Sequence, residues 1–259
     1  MDEHVSGCLI CGRPLRYLEG QRPMTCSICH REFMSNAECE AGHFVCDGCH
    51  RGDLSIVEAA CLASTSSDPS EILTQLMLLP GVHMHGPEHH VLVGSSILAA
   101  YSNAGNDIDL PSALREMSRR GGQVPGGVCG LWGTCGAAVS CGIAFSIITE
   151  SSPLSGESWG RCNTVTSRCL AAIGSFAGPR CCKRDGYLAV TAATEYMNRT
   201  LDTGMTVTSA VECRFSPQNP QCIGARCPFR INRGRERPRS CPSRWAWSGR
   251  PRRLPWSWR

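Results

Sequence analysis

Two Cys-x2-Cys pairs open the chain, Cys8/Cys11 and Cys26/Cys29, with 14 residues between them. A Cys-x3-His-x2-Cys-x2-Cys run follows, formed by Cys39, His43, Cys46 and Cys49. No other feature limits the fold so tightly. A Cys-x2-Cys knuckle turns two thiolates onto one face of a tight turn, and two such pairs at this spacing have the pattern of a zinc ribbon. Gly12, just after the first knuckle, supplies the positive φ that such a turn wants. Eight ligands suffice for two tetrahedral zinc ions, and a cross-braced division of the ligands is one arrangement that fits. His30 and His50 flank knuckle cysteines and compete with His43 for its place. Rubredoxin-like iron is the alternative occupant. Few large apolar residues lie between positions 4 and 52, so metal must supply much of the folding free energy there.

The remaining cysteines follow a different pattern. Of 19 in the 259-residue chain, eight lie between positions 8 and 61, none between 62 and 128, and eleven between 129 and 241. All eight His fall within the first 90 residues. An odd cysteine count in a chain of this length argues against a disulfide framework and for reduced thiols. The polar, acidic N-terminus lacks the apolar core of a signal peptide. Residues 121–149 carry no charge, yet Pro125 and several Gly interrupt them, so they read as a Gly-rich loop entering a buried helix rather than a membrane span. These features predict a cytoplasmic protein.

The middle of the chain reads as helical. Residues 54–63 form one helix. Asp68-Pro69-Ser70-Glu71 gives a second its N-cap, its first-turn Pro and its acid, with Pro80-Gly81 as the stop. Further helices are predicted over 88–103 and 110–120, the latter ended by Gly121-Gly122. The junction His83-Met84-His85-Gly86-Pro87-Glu88-His89-His90 gathers four His and one Glu. His85 and His89, four apart, are candidate ligands for a metal or participants in proton transfer. The plainer reading is helix capping with exposed histidines.

The second half presents thiols at predicted helix starts. Cys129 and Cys135 precede a helix over 136–149, and the vicinal Cys181 and Cys182 open one running to about residue 201. Helix N-termini and the adjacent Arg180, Lys183 and Arg184 favour thiolate. Cys222 and Cys227 form a third set, spaced Cys-x4-Cys. Converging thiolates suit an iron–sulfur or other metal site, or dithiol exchange. The six candidates are Cys129, Cys135, Cys181, Cys182, Cys222 and Cys227, with Cys181 and Cys182 as the candidate catalytic pair, including as a nucleophile in sulfur or methyl transfer. Cys61, Cys141, Cys162, Cys169 and Cys213 read as packed residues. No dinucleotide, phosphate-loop, serine-hydrolase or His-Glu-x-x-His motif is present.

The formal charge of +4 hides a division. Residues 226–259 carry +10 and the rest −6, and the tail also holds four of the six Trp. With one Lys and 25 Arg overall, residues 233–259 read as out-of-frame translation of a GC-rich gene. Basicity is therefore poor support for a nucleic-acid partner, and the acidic N-terminal region weakens it further. A protein partner docked by the zinc module is the expected one.

The stretches Gly42-His43-Phe44-Val45-Cys46-Asp47-Gly48-Cys49-His50, Met84-His85-Gly86-Pro87-Glu88-His89-His90, residues 124–140 and Gly178-Pro179-Arg180-Cys181-Cys182-Lys183-Arg184-Asp185 carry a resemblance. They are similar to an uncharacterised cysteine-rich domain family of methanogenic archaea and other anaerobes, from Cys8 to Cys227. The second half distantly resembles the redox family named for its Cys-Gly-Cys-Ala-x-x-Gly and Cys-Cys motifs, from which Cys135-Gly136-Ala137-Ala138-Val139-Ser140 departs. The first likeness implies an anaerobic, metal-rich setting. The expected protein is mainly α. A small zinc-ribbon-like module over 4–52 precedes an all-α helical domain with Gly/Cys-rich loops over 53–228, then a disordered tail over 229–259. Its expected function is metal binding with a thiol-redox or iron–sulfur site in the helical domain, the alternative being a zinc-module adaptor without chemistry of its own.

Overall fold

The computed structural model describes residues 7–51, 54–208 and 211–230. The Arg/Trp-rich tail beyond Arg230, with Cys241, lies outside them. The module begins with an antiparallel ribbon of β1 (Leu15–Thr25) and β2 (Glu32–Cys39). Its register shifts between Tyr17 and Arg22, which brings Arg16 and Arg22 onto the two oxygens of Glu38. A two-stranded ribbon is marginal by itself. The buried apolar residues here are Met24 and the cysteines Cys8, Cys26, Cys39 and Cys46, so the ribbon has no ordinary hydrophobic core. A single helical turn, α1 (Asp47–Arg51), ends the module.

The rest is helical: α2 (Ser55–Ala63), α3 (Pro69–Leu76), α4 (His89–Asn103), α5 (Leu110–Gly121), α6 (Cys129–Trp132), α7 (Gly136–Ile148), α8 (Glu157–Gly174) and α9 (Cys182–Leu201). The capping signals work as expected. Asp68 accepts the Ser70 N–H at 2.8 Å with Pro69 in the first turn, and Asp109 accepts that of Ser112. α4 is apolar and buried from Val91 through Ala100, so it takes the centre, against α2, α3, α5, α7 and α9. α7, from the uncharged stretch, is the second central helix, packed on α4, α5, α8 and α9. Among the described residues no helix is long and apolar enough to cross a membrane. Phe229 and Arg230, placed in the tail by sequence, pack on this domain: Phe229 lies 5.3 Å from the Tyr187 ring, and its carbonyl accepts the Cys213 N–H.

Glycine permits the close approach of α5 to α4. A Cβ on Gly121 would stand 2.7 Å from the His90 carbonyl oxygen, a backbone atom that no rotamer change can move. Gly121→Ala should therefore cost about 1–3 kcal/mol by overpacking, outweighing the gain of up to about 1 kcal/mol in helix propensity. A lower urea midpoint at unchanged slope is the expected readout.

Candidate metal centres and cleft

Two groups of ligand atoms close up in the module. Cys8, Cys11, Cys39 and His43 form one, and Cys26, Cys29, Cys46 and Cys49 the other. The first and third ligand pairs combine, as do the second and fourth, which is the cross-braced order. In the first group Cys11 Sγ is 3.9 Å from Cys39 Sγ and 3.3 Å from His43 Nδ1. In the second, Cys29 Sγ and Cys46 Sγ are 3.8 Å apart. A tetrahedron with bonds of about 2.3 Å to sulfur has edges of about 3.8 Å, so both groups fit a single tetrahedral ion.

Backbone N–H groups supply the second layer: Ile10 to Cys8, Ile28 and Cys46 to Cys26, and His43 to Cys39. Burial opposes the thiolate, yet these bonds and those of neighbouring ligands bring Cys26 down to about 6 and Cys39 down to about 7. His30 is no rival to His43. It takes, after the second knuckle, the left-handed position that Gly12 takes after the first, with φ of 56° against 71°, and its side chain is exposed.

His50 turns instead to the helical domain. With His83 and Glu88 it makes a third group of candidate ligands, all within 4.8 Å of one another. Burial raises the Glu88 carboxyl, but the His50 and His83 ring nitrogens prevail and hold it well below the usual carboxylate range.

A cleft of about 530 Å³ separates the module from the helical domain. Tyr17, Phe44 and His50 line one side, and His85, His90, Cys129, Trp132, Arg180 and Cys182 the other. Arg180 spans it, donating to the Tyr17 hydroxyl at 2.6 Å with its guanidinium 5.6 Å over that ring. Asp47 accepts the Gly126 N–H at 2.7 Å. These contacts seat the module.

A family model described as a family of unknown function, DUF5714, matches residues 57–230, more than half of the 259 residues. The chain belongs to the DUF5714 family. The DUF5714 match begins in α2, so the module with its two candidate ligand groups lies outside it. It contains three of the four stretches that carry the resemblance read from sequence, all but 42–50. No curated protein matches the chain, and no solved structure does.

Within the DUF5714 region the six candidate thiols are not brought into one cavity. Cys129 and Cys182 line the cleft, and Cys135 packs against the hydrophobic core. Cys181, Cys222 and Cys227 line a second, smaller cavity together with Cys213, which sequence reasoning had assigned to packing. The vicinal pair thus faces two ways. A chain of hydrogen bonds links the two sides. The Cys182 N–H donates to His85 Nδ1 at 3.4 Å, His85 Nε2 meets Asn219 Oδ1 at 3.3 Å, and Asn219 Nδ2 donates to Cys181 Sγ at 3.4 Å. That chain puts the His85 proton on Nε2, and burial, with Arg180 nearby, lowers His85 to about 4, so the ring is neutral. Among the described residues His85 and His89 belong to no group of three close ligand atoms; His89 is buried and its Nδ1 lies 3.2 Å from the Gly86 carbonyl.

The expected low-pKa thiols do not follow either. Burial pushes Cys182 up to about 12 and raises Cys181 and Cys135, outweighing the helix start and Arg180. The hydrogen bonds sort the cysteines more sharply. Cys61 donates to the Ser95 carbonyl and Cys169 to that of Ala189, as packed thiols do. Around the small cavity, Cys181 instead accepts the Arg184 N–H at 3.5 Å and Cys222 that of Gly224 at 3.4 Å. The bond to Cys222 comes from two residues downstream, as those from Ile10 and Ile28 do for the module's Cys8 and Cys26.

Proposed function

We propose that the protein is a redox metalloprotein: two zinc ions brace the N-terminal module, and Cys181, Cys213, Cys222 and Cys227 hold an iron–sulfur cluster in the helical domain. The lining of one cavity by four cysteines, two of which (Cys181 and Cys222) accept backbone N–H groups, carries the reading, because such bonds stabilise metal-bound thiolates and tune cluster potential. Among the described residues no three of these sulfurs gather within 4.8 Å of one another, as the ligand atoms of the module do. A cluster interposes its own core between cysteine sulfurs, so binding one would require the loop that carries Cys213, Cys222 and Cys227 to open beyond the roughly 10 Å³ now free between them. Lys183 and Arg184 line the same cavity and offset the negative charge of four thiolates.

An iron–sulfur cluster would supply one-electron redox chemistry. The residues of this chain provide the route to the cleft: Cys182 follows the ligand Cys181, and the Asn219–His85 hydrogen bonds join the two sides. Exposed Leu131 and Trp132 on α6, beside Cys129, support a protein partner docking at the cleft mouth. The reading places the protein in the reducing cytoplasm, where these thiols persist.

Anaerobic purification of the full chain should give protein with iron, acid-labile sulfide and visible charge-transfer absorption, alongside the two zinc ions of the module. Cys213→Ser should lower iron roughly tenfold or more while zinc stays at two, and Cys169→Ala should leave both unchanged. Colourless protein with zinc alone would overturn the iron–sulfur reading and leave the adaptor one.

A further inference from the structure

We propose that His50, His83 and Glu88 form a third metal site, for a divalent transition ion of the zinc type, built between the module and the helical domain. This proposal is independent of the iron–sulfur reading.

Glu88 precedes α4 and is 1% exposed. Its Oε1 accepts the His83 backbone N–H at 3.0 Å, and its Oε2 lies 3.1 Å from His50 Nδ1. His83 Nδ1 points at the same carboxylate but stands 3.5 Å from Oε1. That exceeds the roughly 3.2 Å of an ordinary N–H···O bond. Shielded from water, the nitrogen has this long approach to Oε1 but no hydrogen bond of ordinary length. A buried polar atom left this way calls for an explanation. With bonds of about 2.1 Å to nitrogen and oxygen, the edge of a tetrahedral site is about 3.4 Å. The observed separations run to the two oxygens of one carboxylate and lie near that edge, and one ligand atom from each residue lies within 4.8 Å of the others, so one ion could be held by all three residues after small side-chain shifts. The two imidazoles are already crowded onto the carboxylate, with ring centroids 4.5 Å apart and planes at 66°.

Space around the group is kept by a glycine. A Cβ on Gly86 would fall 2.1 Å from Glu88 Oε2 and 2.4 Å from His50 Cε1. Any other residue would fill the volume that the carboxylate and the imidazole share. Both Gly86 and His50 line the cleft. Two imidazoles and one carboxylate are a borderline nitrogen and oxygen set, suited to zinc and its neighbours rather than to calcium or magnesium. Three protein ligands leave a fourth position for water or for an oxygen donor brought into the cleft, the arrangement of reactive rather than structural zinc sites. His50 directly follows Cys49, so the ion would also tie the second tetrad to the start of α4.

The test uses the full chain with its module sites filled, titrated with Co2+ after removal of loosely held metal. A third ion at this site should show ligand-field bands without thiolate-to-cobalt charge transfer, which separates it from every cysteine site. Total zinc after equilibration with excess and desalting should be three per chain in the wild type. Glu88→Gln keeps an acceptor for the His83 N–H and should lose the third ion, with affinity lowered at least roughly tenfold. His83→Asn should do the same, and far-ultraviolet circular dichroism checks that each variant is folded. Wild-type protein that holds only the two module ions, a third ion with thiolate charge transfer, or a third ion retained in both variants would each overturn the proposal. Iron and sulfide are counted separately, so absence of a cluster leaves the result readable.

Discussion

Metal removal should unfold the N-terminal module and leave the helical domain folded. The ribbon of β1 and β2 buries Met24 and four cysteines and little else that is apolar. Its polar interior includes Glu38, held by Arg16 and Arg22, and ion pairs that reach the surface add little. Conformational entropy of ordering some 45 residues thus has no hydrophobic counterweight. Metal ligation by the two tetrads would provide it: structural zinc contributes about 10–16 kcal/mol in small zinc-dependent domains near neutral pH. Cys26→Ser removes a ligand whose sulfur takes N–H bonds from both Ile28 and Cys46, so it should abolish the second site and the fold around it. Hydrogen exchange should show loss of protection across Leu15–Thr25 and Glu32–Cys39 after chelation or in the variant. Helical circular dichroism should change little, because the module holds only α1. Ribbon amides that stay protected without metal would refute this account. Since Tyr17 and Phe44 line one side of the cleft, its loss should also free Arg180 from the Tyr17 ring.

Local chemistry was legible in the sequence, and long-range closure was not. The knuckles could be read because a Cys-x2-Cys turn sets its own geometry. Asp68-Pro69 placed the start of α3 because an N-cap acts over three residues. His43 could not be told from His30 or His50 by spacing, since the choice rests on a left-handed backbone at His30 and on Glu88, 38 residues from His50. Cys213 was read as packing because what marks it is the return of the chain at Phe229, whose carbonyl accepts its N–H. The opposite facing of Cys181 and Cys182 follows from the extended backbone of Cys181, with φ of −145° and ψ of 99°, just before the helix opens at Cys182, because successive residues of extended chain point to opposite sides.

The start of α9 yields the second large effect. Cys181 caps the helix, its sulfur accepting the Arg184 N–H at 3.5 Å while its own N–H donates to Asp185 Oδ2 at 3.3 Å. This is the reciprocal logic of a capping box, with a thiol in place of a hydroxyl. Arg184 Nε donates to Asp185 Oδ1 at 3.0 Å, and the pair is 4% and 6% exposed. Arg184 also donates to the Pro179 carbonyl at 3.0 Å, fixing the loop that carries Arg180. Burial raises the Asp185 carboxyl despite its partner, as expected where desolvation nearly cancels the Coulomb gain. Such a pair adds little over an apolar one, but removing one member strands the other. Asp185→Ala should therefore cost about 3–5 kcal/mol in urea unfolding, by leaving Arg184 buried and charged. Adding Arg184→Met to it should recover most of that loss, because the stranded charge goes while the side-chain volume stays. Recovery of stability without recovery of bound iron would show that the pair positions Cys181 and does not merely hold the helix. A single Asp185→Ala variant within about 1 kcal/mol of wild type would mean that water reaches Arg184, against its 4% exposure.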